Sequence, residues 1–222
     1  MAHIILYLPV VFILLASCKH LPHAHGLAPC RDTPDEYAKA QSDLARIYRE
    51  DQEDRDGFLE FDANSLLQMV ERDLQRRSKV AELFAKGCLK SPDDYKRSAL
   101  IFQHGNIPEH FYQAFVWART ALRMGDESAR YLMSLTTDRF LVNSGYKQLF
   151  GSQAMKPNDS ACWCLYPVES SFTDEDRLAQ KAKSLAEQIE WLIALNHRDD
   201  CREWECKMDL KSLSKSDFVE FW

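Results

Sequence analysis

Six cysteines constrain the fold of this 222-residue chain more than any other feature of its sequence, because each pair that oxidises holds two distant segments side by side. The chain contains seven cysteines. One of them, Cys18, follows an amino-terminal export segment that is described below. The even number that remains is typical of exported proteins, whose cysteines form disulfides. These six are Cys30, Cys88, Cys162, Cys164, Cys201 and Cys206.

The spacing of the last four cysteines predicts how they pair. A bridge between Cys162 and Cys164 would close a strained small ring, whereas each can reach a partner across a packed interface. We therefore predict crosswise bridges from this pair to Cys201 and Cys206, which leaves the two remaining cysteines to pair with each other. The alternative is a four-cysteine zinc site, but the one-residue and four-residue spacings fit zinc knuckles poorly.

The amino terminus resembles a lipoprotein signal. Residues 4–16 form an apolar run that is too short for a membrane-spanning helix, which needs about 20 residues. The run ends in Leu15-Ala16-Ser17-Cys18, which resembles the bacterial lipobox, in which the cysteine receives diacylglycerol and acyl chains such as palmitate. Lys19, in place of Asp, resembles lipoproteins exported to the outer membrane. The alternative is an ordinary signal peptide followed by an incidental cysteine.

We predict three parts in the chain: a signal peptide (1–17), the lipidated Cys18 with a flexible tether (18–31), and a single helical domain (32–222). Lipidation would place the protein in the bacterial cell envelope, on the outer membrane and facing the periplasm. Three tether histidines could hold a transition metal, but ordering such a segment costs entropy, so neither a metal nor a cofactor is expected. They are His20, His23 and His25.

Composition and periodicity favour helices in the domain. Glycine and proline number only 7 and 8, which argues against a turn-rich β fold. The net charge of −6 provides no basic surface, so nucleic acid is not an expected partner. Start signals followed by apolar residues at helical spacing predict helices over 34–50, 64–87, 92–105 and 108–125, one from Asp126, and the strongest from Thr173 to Leu192.

Two helical segments carry further expectations. The helix over 64–87 carries an apolar stripe that is predicted to face the core: Leu66, Val70, Leu74, Val80, Leu83 and Phe84. Its polar stretch 76–78 is a candidate break, and its arginines are expected on a solvated face. Residues 112–132 resemble one Sel1-type or tetratricopeptide-type hairpin, and a single unit does not predict a solenoid. The predicted fold class is all-α: a compact, disulfide-stabilised bundle of about six helices that includes this hairpin.

Three motifs lie in the middle of the chain: Gln103-His104-Gly105, Asp138-Arg139, and Gly145-x2-Gln148-x-Phe150-Gly151-Ser152-Gln153. Together they resemble a family of bacterial helical domains of unknown function that are often secreted or lipid-anchored. The resemblance extends weakly upstream to Asp51-Gln52-x2-Arg55. It implies a cluster of residues and no particular reaction. The usual tyrosine of the third motif is Phe150 here, so a role for a tyrosine hydroxyl does not transfer.

Two classes of function follow from these motifs. The first is a module that binds a ligand or a protein partner in the envelope, for example as an immunity factor. The second is a hydrolase in which His104 is the general base, Asp138 orients it, and the remaining polar residues hold an anionic or glycan substrate. No serine or cysteine lies in an activating context, so binding is preferred. The candidate residues are Gln103, His104, Asp138, Arg139, Gln148 and Gln153.

Each candidate also has a structural interpretation. His104 could cap the end of its helix, where an imidazolium interacts well with the helix dipole. Asp138 and Arg139 could form an ordinary ion pair. We nevertheless expect the candidates to converge, because buried amides and charges need hydrogen-bond partners. The aromatic tail at residues 218–222 is expected to dock on the domain, with a partner-binding tail as the alternative.

Overall fold

A computed structural model of the protein describes residue 30 and residues 33–56, 62–157, 161–197 and 200–213. The predictions for the signal peptide, the lipidated Cys18, the tether histidines and the aromatic tail lie outside these residues. The described part contains seven helices and one two-stranded antiparallel sheet. The helices are α1 (Pro34–Glu53), α2 (Ala63–Ala85), α3 (Pro92–Phe102), α4 (Pro108–Arg123), α5 (Ala129–Asn143), α6 (Asp174–Ala179) and α7 (Leu185–Asn196), and the strands are β1 (Ala154–Met155) and β2 (Cys164–Leu165).

Local start signals explain where several helices begin. Proline occupies the first turn of α1, α3 and α4, where its missing N–H has no intrahelical partner to lose. Ser91 and Thr173 form capping boxes with the residue three positions later, at the starts of α3 and α6. The predicted starts of these helices are confirmed. Among the described helices, none is long and apolar enough to span a membrane.

Helices α1 to α5 form a bundle around one hydrophobic core, which confirms the predicted all-α fold. Alanines without exposed surface line the contacts between α3, α4 and α5, where small side chains allow helices to approach closely. The segment that resembles a Sel1-type hairpin spans most of α4 and the start of α5. A second, smaller core lies beyond α5, where Phe150 and Phe172 pack edge to face at 5.2 Å between centroids.

The single helix predicted from Thr173 to Leu192 is wrong. The chain forms two helices, because Ser184 begins α7 with its own capping box to Glu187. Between them Lys181 adopts a left-handed conformation with φ of 54°, which interrupts the helical path. Leu178, expected on the apolar stripe, is 59% exposed.

The predicted apolar stripe of α2 is confirmed at Val80 and Leu83, which are buried, and is wrong in the first half of the helix. The helix continues without a break, and Leu66, Val70 and Leu74 are exposed, whereas Arg76 and Arg77 are buried. The reason is electrostatic: the end of α1 presents carboxylates and a guanidinium that pair with polar side chains of α2. Only the carboxyl-terminal half of α2 contributes apolar side chains to the core.

Three disulfides connect the six predicted cysteines. Cys30 bonds to Cys88, Cys162 to Cys201 and Cys164 to Cys206, so the crosswise pairing is confirmed. These sulfurs are oxidised and do not form the alternative zinc site. The last two bridges tie the chain around residues 201–206 against β2, where Leu165 donates its backbone N–H to Trp204 and accepts one from Cys206, both at 2.8 Å.

Two of the leucines in α2 lie in opposite environments and so test this arrangement. Leu83 is 5% exposed and Leu67 is 69% exposed. We expect Leu83→Ala to lower the free energy of unfolding by about 2–5 kcal/mol, because it leaves a cavity in the core. Leu67→Ala should change it by less than about 0.5 kcal/mol. Urea unfolding followed by circular dichroism measures both, and equal losses would contradict the arrangement.

Candidate functional site

The Asp138 carboxylate organises the loop that follows α5. It lies on α5 with no exposed surface, and its oxygens accept the backbone N–H groups of Leu149 at 2.8 Å, Phe150 at 3.0 Å and Ser152 at 2.9 Å. The Ser152 hydroxyl donates a further bond at 2.8 Å. Burial raises the pKa of Asp138, and these donors oppose the rise. The loop is therefore wrapped around a single buried carboxyl group.

Gln148 fixes the same loop from the other side. Its side chain is fully buried and donates to the carbonyl oxygens of Gln153 and Tyr166, at 3.0 and 2.6 Å. Its amide oxygen accepts the backbone N–H of Gln153 at 2.8 Å. Gly151 adopts a φ of 71°, a left-handed conformation that glycine tolerates best, within this turn. Asp138 and Gln148 thus use their polar atoms inside the loop and have no exposed surface with which to contact a ligand.

Arg139 connects this loop to the end of α3. Its Nε donates to the side-chain oxygen of Gln153 at 3.0 Å, and its Nη1 donates to the carbonyl of Gln103 at 2.6 Å. The expected ion pair between Asp138 and Arg139 is wrong, because the Asp138 carboxylate accepts hydrogen bonds from the loop instead. Within the described part of the chain, no carboxylate forms an ion pair with Arg139. None of the described carboxylates therefore neutralises its charge.

His104 lies just after α3 and is held by Asp51, from the last turn of α1. The two side chains are joined by a 3.1 Å contact between His104 Nδ1 and Asp51 Oδ1. Asp51 has no exposed surface and is itself held by the Gln52 amide at 2.8 Å and by Arg55 at 3.2 Å. The expectation that Asp138 orients His104 is wrong, because Asp51 occupies that position.

A network of charges surrounds this pair at the junction of α1 and α2. Asp73 accepts from Arg55 at 2.8 Å and from Arg76 at 3.0 Å, and Asp54 pairs with Arg72 and Arg76. With Asp51, Arg77 and Arg139 included, the described residues of this network comprise three carboxylates and five guanidiniums, an excess of two positive charges among them.

The two guanidiniums outside these ion pairs contact the same helix end. Arg77 Nη1 donates to the His104 carbonyl at 2.8 Å, and Arg139 donates to the Gln103 carbonyl. Both carbonyls lie at the carboxyl end of α3, where the helix dipole is negative. Burial lowers the pKa of both arginines, although each remains far above neutral pH as arginines do in proteins. The helix end thus compensates part of their charge.

An open pocket of about 370 Å³ lies over these groups. It is lined by polar side chains from α2, from α5 and from the turn after α1, by the turn after α3, and by one apolar residue from α2. Its volume is near the lower limit for small-molecule sites, so it suits a small ligand or one group of a larger ligand. The lining residues are Arg55, Met69, Asp73, His104, Gly105 and Arg139.

The protonation of the pair follows from its surroundings. Burial lowers the pKa of His104, and the charges of Arg55 and Arg139 lower it further, while Asp51 opposes this change. Burial opposes ionisation of Asp51, but His104 and Arg55 outweigh it, so the pKa of Asp51 is lowered. We assign a neutral imidazole at neutral pH, with its proton on Nδ1 facing the ionised Asp51 and a lone pair on Nε2.

A larger groove of about 1000 Å³ lies between α6 and the disulfide-tied segment at residues 202–208. Two of its charged side chains act within the fold. Glu169 accepts backbone N–H groups of Ser171 and Leu213, and Arg177 pairs with Asp174 at 3.0 Å. We therefore select the smaller pocket as the candidate site, because it combines an oriented histidine with an unneutralised guanidinium.

The structure connects five of the six sequence candidates by direct hydrogen bonds, and Asp138 holds the loop that carries two of them. Only His104 and Arg139 line the pocket. Sequence reasoning gave no role to the residues of α2 in this network, above all Asp73 and Arg77, because their charges indicated a solvated helix face. The only signal for Asp51 and Arg55 was the upstream motif of the family resemblance.

Comparison of the chain with protein-family models, with curated proteins and with solved structures gives no match. The function is therefore argued from the geometry of the pocket.

The role of Asp138 can be tested against that of its nearest side-chain partner. We expect Asp138→Ala to lower the free energy of unfolding by about 3 kcal/mol or more, since three buried N–H groups lose their acceptor. Ser152→Ala removes one hydrogen bond and should cost about 1 kcal/mol. Chemical denaturation of both variants measures the difference, and a cost for Asp138→Ala no larger than for Ser152→Ala would contradict this role.

Proposed function

We propose that the protein is a lipid-anchored module of the bacterial cell envelope that binds an anionic ligand in the pocket lined by Arg55, His104 and Arg139. The single observation that carries the proposal is Arg139, a partly buried guanidinium at a pocket wall that no carboxylate of the described residues neutralises. A guanidinium in this situation gains most from an anion that forms charge-assisted hydrogen bonds with it.

The other charges of the pocket favour a small anion. Arg55 already pairs with Asp51 and Asp73, so it contributes mainly to the local field. The whole chain carries a net charge of −6, which disfavours extended polyanions. A carboxylate, phosphate or sulfate group of modest size therefore fits both the local excess of positive charge and the volume of the pocket.

The anchoring part of the proposal is supported by the sequence. Leu15-Ala16-Ser17-Cys18 has the pattern of a lipobox, and the disulfides of the domain are typical of an oxidising compartment such as the periplasm. Acyl chains add about 0.8 kcal/mol of membrane affinity per buried CH₂ group, so a lipidated cysteine would keep the pocket close to the membrane surface.

The binding proposal predicts a specific loss. Titration calorimetry should detect binding of inorganic phosphate or acetate to the wild-type protein. Arg139→Gln should weaken that binding by about 10-fold or more, because a charge-assisted hydrogen bond contributes about 1.5–3 kcal/mol. Arg139→Lys keeps the charge but not the fork of donors, so an intermediate loss is expected.

The matched control is Arg123→Gln, which removes an exposed arginine from the last turn of α4. It should bind the anion as the wild type does. Melting temperatures of all variants separate binding from folding. Equal affinity of the Arg139→Gln variant and the wild type, with both folded, would contradict the proposal.

The anchor has its own test. Cys18→Ser should abolish lipidation and release soluble or unprocessed protein, because the thiol that accepts diacylglycerol is missing. Detergent-phase partitioning of cell extracts measures this. Recovery of the variant in the detergent phase at the wild-type level would exclude a lipid anchor at Cys18.

A further inference from the structure

We propose that the pocket is catalytic: His104, oriented by Asp51, acts as a general base that activates water for hydrolysis of a phosphoanhydride. The inference rests on the proposed function, since the substrate is the anion that the pocket would bind. It goes further by naming the class of that anion and a reaction.

The geometry of the pair matches what a general base requires. The Asp51 carboxylate contacts His104 Nδ1 at 3.1 Å, and Asp51 is itself fixed by Gln52 and Arg55. The backbone of His104 is held as well, because its carbonyl accepts from Arg77 at 2.8 Å. The imidazole is therefore fixed by its ring and by its main chain, as preorganised catalytic bases are.

The second ring nitrogen is the reactive atom. His104 lines the pocket with 14% of its side chain exposed. Its Nε2 lies 3.4 Å from the amide nitrogen of Gln103, a contact at the long limit of hydrogen bonding. Since Nδ1 carries the proton, the lone pair of Nε2 accepts only this long contact from Gln103, and a water molecule that enters the pocket would take its place.

The reaction balances with water as the only co-substrate. The water oxygen attacks the terminal phosphorus while its proton passes to Nε2 of His104. The bond between that phosphorus and the bridging oxygen breaks, and the electron pair leaves with the oxygen as a phosphate product. The proton on His104 then returns to solvent, so one anhydride and one water give two phosphates.

The residues of the pocket select the leaving group. Attack and departure occur on opposite sides of phosphorus, so His104 cannot also protonate the departing oxygen. The Asp73 carboxylate cannot do so either, because its oxygens accept from Arg55 and Arg76. A leaving group that departs readily as an anion is required, and the phosphate released from an anhydride meets this need whereas an alkoxide does not.

The unneutralised guanidinium supplies the complementary charge. Arg139 lines the pocket, and its charge acts on His104, which places the two side chains within electrostatic reach of the same ligand. In phosphoryl transfer an arginine that contacts the transferred group stabilises the charge on its oxygens. We assign this contact to Arg139 and the activation of water to His104.

The test compares turnover with binding. Release of phosphate from inorganic pyrophosphate measures turnover, and calorimetry with methylenediphosphonate, whose P–C–P linkage resists hydrolysis, measures binding. The wild-type protein should do both. His104→Asn should bind methylenediphosphonate within about threefold of the wild type but lose turnover by about 100-fold or more, the usual contribution of a general base. His110→Asn, a nearby histidine outside the pocket lining, should retain turnover.

Asp51 is a positioning residue, so its test uses the pH profile. Turnover requires neutral His104 and should therefore rise with pH through the pKa of His104. Asp51 raises that pKa, so Asp51→Asn should shift the acidic limb to lower pH as well as reduce turnover. A residue that only stabilised the fold would reduce turnover without moving the limb.

The outcomes separate this inference from the proposed function. If methylenediphosphonate binds but pyrophosphate is not hydrolysed, catalysis is overturned and the binding module stands. If the folded wild-type protein neither binds methylenediphosphonate nor hydrolyses pyrophosphate, catalysis is overturned and the binding proposal loses its phosphate ligand. If His104→Asn hydrolyses pyrophosphate at the wild-type rate, the assigned base is wrong.

Discussion

The hydrogen bonds between the buried Asp138 carboxylate and three backbone N–H groups are the constraint on which the rest of the site depends. They fold residues 149–152 around one side chain of α5 and so fix the position of Gln153. Gln153 in turn orients the guanidinium of Arg139, the residue that follows Asp138 on α5. Asp138 of α5 therefore shapes the loop, and the loop in turn orients Arg139 of the same helix. The position of the Arg139 guanidinium at the pocket wall thus depends on a buried polar interaction.

The carboxyl end of α3 is the second organising element, because it gathers cations without supplying an acidic side chain. Its carbonyl oxygens accept from Arg77 of α2 and Arg139 of α5, which approach from different parts of the bundle. Partial negative charge on a helix end stabilises a cation but does not cancel a full positive charge. The helix end can therefore hold both guanidiniums in place, and the charge of Arg139 at the pocket wall stays available to an anion. A carboxylate in the same position would hold the arginines more strongly and would remove that attraction.

How far the sequence predicted this structure depends on the range of the interactions involved. Capping boxes and first-turn prolines act within four residues, so the starts of α3 and α6 and the all-α class could be predicted. The disulfides could be predicted because ring strain is a local property of Cys162 and Cys164. The burial of the first half of α2 could not be predicted, because either its apolar side chains or its arginines could face the protein. Only the charges at the end of α1, which are distant in sequence, decide that the arginines are buried. The partner of His104 is likewise set by a contact between distant segments. The sequence motifs favoured Asp138, whereas the partner is Asp51, 53 positions away from His104.

The bridge between Cys30 and Cys88 has a mechanical consequence. It closes a covalent loop that contains α1 and α2, with a sequence separation of 58 residues. Tension applied to the chain before Cys30 passes through the sulfur–sulfur bond directly to the segment after Cys88, so the two helices inside the loop carry no load. The loop supplies a large part of the pocket and of the network that supports it: Asp51, Arg55, Asp73 and Arg77. A pull on the amino terminus therefore bypasses these helices and acts first on the segment that leads into α3, so the side of the pocket that lies inside the loop keeps its geometry.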